Sequence, residues 1–233
     1  MARGKIIIGH RGIPSRAHEN TMDSFLKAIR YGADMVELDI RMTADRIAVA
    51  FHDPEVVTSQ GSLPLSLISF ENLNSIAQSR GFSIPTVSEI IGKLSGRTRI
   101  LFEFKESGYE KQIVQKILDG FPRTDVSFQS FNIETVHRIL QTDSCLETGF
   151  LICKDSQLND AAGCRASFLA PCFDLLERNR HFFETQKRNG KRIAVWTVDS
   201  AELITELMND RIPDMLITNR CDLATRIRRR LKK

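Results

Sequence analysis

The chain has 233 residues, 42% of them hydrophobic and 27% charged, which excludes a disordered, fibrous or membrane-embedded protein and leaves enough apolar material for one sizeable core. Its net charge of +4 implies no nucleic-acid partner, and much of it falls on Arg226, Arg228, Arg229, Arg230, Lys232 and Lys233, which read as the solvated end of a last helix. The five cysteines (Cys145, Cys153, Cys164, Cys172 and Cys221) show no CxxC spacing, so zinc and dithiol motifs are excluded and buried free thiols are expected.

The first apolar run, Lys5–Gly9, leaves no room for a signal peptide, and no later run approaches the roughly 18 residues of a membrane span. A soluble, cytoplasmic protein without stable membrane insertion is the expectation, with the oligomeric state left open. Gly9-His10-Arg11-Gly12 ends this first strand. Glu19-Asn20-Thr21 precedes a helical pattern over Thr21–Tyr31; Asn20 or Thr21 can cap that helix, and the same loop can bring Glu19 or Asn20 to the strand ends. Met35–Ile40 and Ile47–Phe51 are the next strands, the second followed directly by His52-Asp53. Between Asp53 and Pro85 the apolar residues, among them Leu63, Leu65, Leu67, Ile68 and Leu73, form no clear strand–helix unit. This segment reads as an insertion, packed over one mouth of the fold or making an irregular connection with its own small core. Strands Arg99–Phe104, Val126–Phe128, Leu146–Leu151, Ser167–Ala170, Ile193–Val198 and Met215–Ile217 follow. They alternate with helical patterns over Tyr109–Gly120, Ile133–Gln141, Leu175–Asn189, Ala201–Asn209 and Leu223–Leu231.

Strand–helix alternation requires a parallel sheet covered by helices, either open and doubly wound or closed into a barrel. No GxGxxG follows the first strand, and polar residues sit at several strand ends instead of in one glycine-rich loop. The expectation is therefore one domain, residues 1–233, on a (β/α)8 TIM-type barrel with a small insertion at about 53–85.

Met35-Val36-Glu37-Leu38-Asp39-Ile40-Arg41 alternates strictly, so Glu37, Asp39 and Arg41 share one strand face and Val36, Leu38 and Ile40 the other. If the apolar set faces the helices, the carboxylates point to the barrel axis, where unpaired charge is costly and a cation resolves the conflict. An exposed strand of a half-wet sheet is the other reading of that segment alone. Phe102-Glu103-Phe104-Lys105 repeats the anomaly on a second strand. Oxygen ligands without sulfur point to one hard divalent cation, Mg2+ or Ca2+, with Mn2+ also compatible. His10 and His52, both at strand ends beside this cluster, suit proton transfer near neutral pH. Trp196, the single tryptophan, either walls a pocket and contacts a polyol or belongs to the core.

The ordered set Gly9-His10-Arg11-Gly12, Glu19-Asn20-Thr21, Glu37-Leu38-Asp39, His52-Asp53, Glu103-Phe104-Lys105, Ser130-Phe131, Trp196-Thr197-Val198 and Ile217-Thr218 resembles the glycerophosphodiester phosphodiesterase family. The likeness covers essentially the whole chain. It implies a TIM-type barrel that hydrolyses glycerophosphodiesters to sn-glycerol 3-phosphate and an alcohol, with a small-molecule glycerophosphodiester as partner. Carried over to these positions, it implies acid–base roles for His10 and His52, metal ligation by Glu37, Asp39 and Glu103, and phosphate contact by Arg11 and Lys105. The chain departs from the family pattern at His18, where Pro is usual, at Asp45-Arg46 for Asp-Gly, and at Asn219 for Asp; Val57-Thr58-Ser59-Gln60-Gly61 replaces a threonine-rich stretch. Two other readings are a phospholipase of lysophospholipase D or phospholipase C type, suggested by the leucines of the insertion and the basic tail, and a non-catalytic polyol-phosphate binding protein.

Overall fold

The computed structural model, which describes residues 4–58 and 61–231, turns the strand–helix alternation into a closed barrel. Ser59 and Gln60 of the insertion, and Lys232 and Lys233 of the basic tail, lie outside the described residues. In chain order the elements are β1 (Ile6–Gly9), α1 (Met22–Arg30), β2 (Met35–Met42), β3 (Ala48–Ala50), β4 (Glu55–Thr58), β5 (Gly61–Pro64), α2 (Phe70–Ser79) and α3 (Val87–Leu94). Then come β6 (Arg99–Phe104), α4 (Glu110–Gly120), β7 (Val126–Ser130), α5 (Ile133–Thr142), β8 (Glu147–Ile152), α6 (Leu158–Gly163) and β9 (Phe168–Pro171). The chain finishes with α7 (Phe173–Arg178), α8 (Arg180–Arg188), β10 (Arg192–Val195), α9 (Ala201–Asn209), β11 (Met215–Thr218) and α10 (Cys221–Leu231). Parallel pairing runs β1-β2-β6-β7-β8-β9-β10-β11 and returns to β1, closing an eight-stranded TIM-type barrel.

Burial sorts by strand face, as the alternation requires. Val36, Leu38, Ile40, Phe102, Phe104 and Phe128 point outward into a core shared with helix residues such as Phe25, Ile113 and Val136. Inside the barrel a smaller apolar cluster, Ile8, Met35, Leu101, Leu151, Phe168, Ala170, Ala194, Met215 and Ile217, fills the axis. Gly149 leaves room for one of these: a Cβ there would fall 2.1 Å from the Phe168 ring. Glu37, Asp39, Glu103 and Gln129 form a buried polar level on the inward faces of β2, β6 and β7.

Of the nine strands read from the sequence, the third, Ile47–Phe51, is the accessory one. β3 runs antiparallel to β2, with Ala50 opposite Ile40, and the Phe51 N–H donates to the Asp39 carbonyl at 3.1 Å. This return brings His52 back toward the level of Asp39. The segment that broke the rhythm contains the β4–β5 hairpin and α2, packed on a third cluster that includes Val56, Leu65, Ile68, Leu73 and Ile84. The helical pattern expected over Leu175–Asn189 divides at Asn179 into α7 and α8, and α3 and α6 are helices that the apolar spacing did not announce. The thiols are not uniformly buried either: Cys164 and Cys221 are, but Cys145 is exposed.

Candidate active site

The loop after β1 is built for close approach. Gly12 adopts φ 87° and a Cβ there would meet Ser24 Oγ at 2.3 Å, so no other residue fits without displacing α1. Arg11 and Asn20, at φ 51° and 54°, are non-glycine residues in the left-handed region, a conformation that persists only when surrounding bonds fix it. Those bonds are present. Arg11 N–H donates to Glu37 Oε2 at 2.8 Å, and the Arg11 carbonyl accepts from Asn20 N–H and from Ser24 Oγ. Thr21 caps α1, accepting from Ser24 N–H. Asn20 instead turns inward, donating through Nδ2 to Asp39 Oδ2 at 2.7 Å while its Oδ1 accepts the Asp39 N–H.

Glu37, Asp39 and Glu103 come together as their strand faces required, each offering an oxygen within 4.8 Å of the others. In this cluster Glu37 Oε1 and Asp39 Oδ1 are buried without a hydrogen-bond partner, an arrangement that a bound cation would satisfy. Burial, with the neighbouring charges of Asp39 and Glu103, pushes the Glu37 carboxyl well above its ordinary range. Burial and Asp39 push Glu103 up to about 7, against the pull of Lys105. Lys105 Nζ lies 2.6 Å from Glu103 and 3.4 Å from Asp39; burial alone would lower its ammonium, but these carboxylates outweigh burial and raise it. Arg11 behaves alike: burial opposes its charge, and Asp39, Glu37 and Glu19 more than compensate. Its Nε stands 3.1 Å from Asp39 and its Nη1 donates to both oxygens of Glu19. Three carboxylates meet two cationic side chains here, an imbalance that leaves the donor set fit for a hard divalent ion.

A cavity of about 170 Å3 opens onto this cluster, lined by His10, Arg11, His52, Glu103, Lys105, Gln129, Phe131, Leu151, Trp196, Thr197 and Ile217. Both histidines therefore reach the same space from different loops. His10 Nδ1 is 2.8 Å from Asn219 Oδ1, and burial, then the Arg11 charge, lowers its affinity for a proton. His52 Nδ1 is 2.7 Å from Asp53 Oδ1, and its carbonyl accepts from Arg41 Nε. Trp196 and Phe131 meet edge to face at 5.4 Å between ring centroids and wall one side, with Trp196 Nε1 donating to the Ala170 carbonyl. His52 also lines a second cavity of about 600 Å3 with Glu19, Asn20, Asp53, Arg80, Phe82 and other residues.

A family model described as the glycerophosphoryl diester phosphodiesterase family matches residues 10–223. The chain belongs to this family. A glycerophosphodiester phosphodiesterase of Caldanaerobacter subterraneus is 26% identical over 231 residues, covering 92% of this chain and 93% of its own. The glycerophosphodiester phosphodiesterase structure from Thermotoga maritima superposes with TM-score 0.80 at 23% identity, over 97% of this chain and 100% of that one. An Oleispira antarctica phosphodiesterase in complex with the product sn-glycerol-3-phosphate superposes with TM-score 0.81 at 19% identity, over 96% of both chains. At such identities the superpositions speak for the fold. The family match and its named relatives make this chain an enzyme, a glycerophosphodiester phosphodiesterase.

The ten site residues expected from sequence fall into three groups in this phosphodiesterase. Seven of them, His10, Arg11, His52, Glu103, Lys105, Trp196 and Glu37 with its Arg11 bond, surround or underlie the smaller cavity. Asp39 joins the acidic cluster, held by Asn20. Glu19 sits on the rim, paired to Arg11. Gln129 was not anticipated; it stands beside Glu103 in the β6–β7 register, 1% exposed, with Oε1 unpartnered. Its signal was present, since Gln129 follows Phe128 as Glu103 follows Phe102, but a strand ended at Phe128 stops one residue short of it.

Proposed function

We propose that the chain hydrolyses glycerophosphodiesters to sn-glycerol 3-phosphate and an alcohol with one divalent cation at Glu37, Asp39 and Glu103 and with His10 and His52 as its acid–base pair. One observation carries this reading: buried carboxylate oxygens that accept no hydrogen bond lie under the same cavity that two histidines line. When bound, the cation, Mg2+, Ca2+ or Mn2+, supplies charge neutralisation at the phosphodiester oxygens. Arg11 and Lys105, both kept charged by their carboxylate neighbours, bind and orient the same group. Trp196 and Phe131 shield that space from bulk water and face the glycerol moiety. One histidine takes a proton from the nucleophile while the other returns one to the leaving oxygen, each step contributing on the order of 10²- to 10⁴-fold. The leaving alcohol extends into the larger cavity, which His52 also lines.

A phospholipase reading is favoured by one feature, the exposure of Val57, Leu63 and Leu67 on the insertion, since exposed apolar side chains suit a lipid surface. Release of glycerol 3-phosphate from a panel of water-soluble glycerophosphodiesters, with and without EDTA, tests the main proposal. Turnover of soluble substrates that EDTA abolishes and a divalent cation restores is the expected result. Turnover of lysolipid alone selects the second reading, and full activity in metal-free protein removes the cation from both.

A further inference from the structure

Asp199 and Asn219 lie outside the carboxylate cluster, on the loops after β10 and β11, and the proton order between them has only one solution. Asp199 Oδ1 accepts the Asn219 N–H at 2.8 Å and the Thr218 hydroxyl at 3.0 Å. The hydroxyl donates and the carboxylate accepts in that contact, while Thr218 Oγ1 also accepts from Arg220 N–H. The remaining carboxylate oxygen, Oδ2, lies 2.7 Å from the Asn219 side chain. A carboxylate accepts only, so Asn219 must turn its Nδ2 toward Asp199 and its Oδ1 toward His10. A carbonyl oxygen likewise only accepts, so His10 must carry a proton on Nδ1, 2.8 Å away.

We infer that Asp199, acting through Asn219, is a positioning pair that fixes His10 as the Nδ1–H tautomer and leaves Nε2 as the proton-accepting nitrogen facing the cavity. The pair belongs neither to the cavity lining nor to the carboxylate cluster; it decides which nitrogen of His10 is basic. The inference rests on the proposed catalytic role of His10. In the neutral ring Nε2 is then the one nitrogen free to accept a proton, as the base of the first transfer requires. Arg11, Asp39 and Glu19 are the charged groups that act on His10 from the neighbouring elements, and the substitutions below leave all three in place.

The test is an amide–carboxylate exchange in the full chain with its divalent cation. In Asp199→Asn the new amide oxygen still accepts from Asn219 N–H and Thr218, so its NH2 faces Asn219, which must flip and present Nδ2 to His10. That inverts the imidazole tautomer and lowers kcat by on the order of 10²- to 10⁴-fold with KM changed only a few fold. Adding Asn219→Asp to the same chain restores an acceptor toward His10. The double variant should recover most of kcat, with the acid limb of its pH profile moved upward because a carboxylate now faces the ring. Nitrogen-15 NMR of His10 reads the tautomer directly: Nδ1 protonated in the parent and the double variant, Nε2 protonated in Asp199→Asn. A folded Asp199→Asn protein with near-parental kcat and an Nδ1–H ring overturns the inference, as does a double variant no better than the single. His10→Ala with undiminished kcat would instead overturn the catalytic role of His10, and the NMR result would still report whether the tautomer is set as described.

Discussion

His10 and His52 are held by different partners, an amide oxygen for one and the Asp53 carboxylate for the other, and their contributions are separable by pH. Burial and the Arg11 charge lower the proton affinity of His10, so as a base it stays competent below the ordinary histidine value of about 6.5. The acid limb of the kcat/KM profile should therefore fall below that value, and His10→Ala should abolish it with a loss of orders of magnitude in kcat. His52→Ala should remove the opposite limb, and the double variant should lose little beyond the worse single one because the pair acts as a unit. His137→Ala, on α5 and outside the cavity lining, is the control and should stay within a few fold. A dead His137→Ala beside a working His52→Ala would reverse the assignment. At this scale the sequence was informative wherever chemistry and strand alternation coincided, as at Glu37, Asp39 and Glu103. It passed over Asp199 and marked Asn219 only as a departure from the family pattern, because their meaning lies in which atom donates across loops 20 residues apart.

The elements were legible in proportion to how plainly their burial is one-sided. Eight barrel strands showed as apolar runs, and the strand that did not close the barrel could not be told apart, because antiparallel β3 is as fully buried as its parallel neighbours. α3 was missed although Thr86 and Glu89 form a reciprocal cap at its start; only eight residues long, it offers two turns of periodicity. The Asp45-Arg46 turn carries a prediction. Arg46 adopts φ 59° in the tight return from β2 to β3, where Arg46 N–H donates to the Thr43 carbonyl at 2.9 Å. A side chain in that region costs about 1–2 kcal/mol, partly offset by the backbone freedom that glycine loses on folding. Arg46→Gly should therefore stabilise the chain by roughly 0.5–1 kcal/mol, a Tm rise of a few degrees, without changing kcat. A lower Tm would show that the Arg46 side chain supplies more than its backbone strain removes.

For the whole molecule, the acidic cluster makes stability depend on pH in an unusual direction. Glu37 and Glu103 hold protons more tightly folded than unfolded. Their contribution is therefore present below the ordinary glutamate value and lost as pH rises toward and through about 7. Metal-free protein should lose Tm from this source between about pH 5.5 and pH 8, and a divalent cation, which binds the ionised carboxylates, should raise Tm more at the upper value. Glu103→Gln should flatten both dependences; an unchanged slope would mean that the cluster does not titrate as a unit with folding. No helix among the described residues is long and apolar enough to cross a membrane. The barrel interior, finally, is a corridor with one door. Below the carboxylates the axis is filled by Phe168, Met35, Met215 and their neighbours, so an ion bound at Glu37, Asp39 and Glu103 must come and go past the substrate's own place. Traffic is then ordered, last in and first out: glycerol 3-phosphate at saturating concentration should slow EDTA inactivation several fold. Equal inactivation rates with and without it would reveal a second way out.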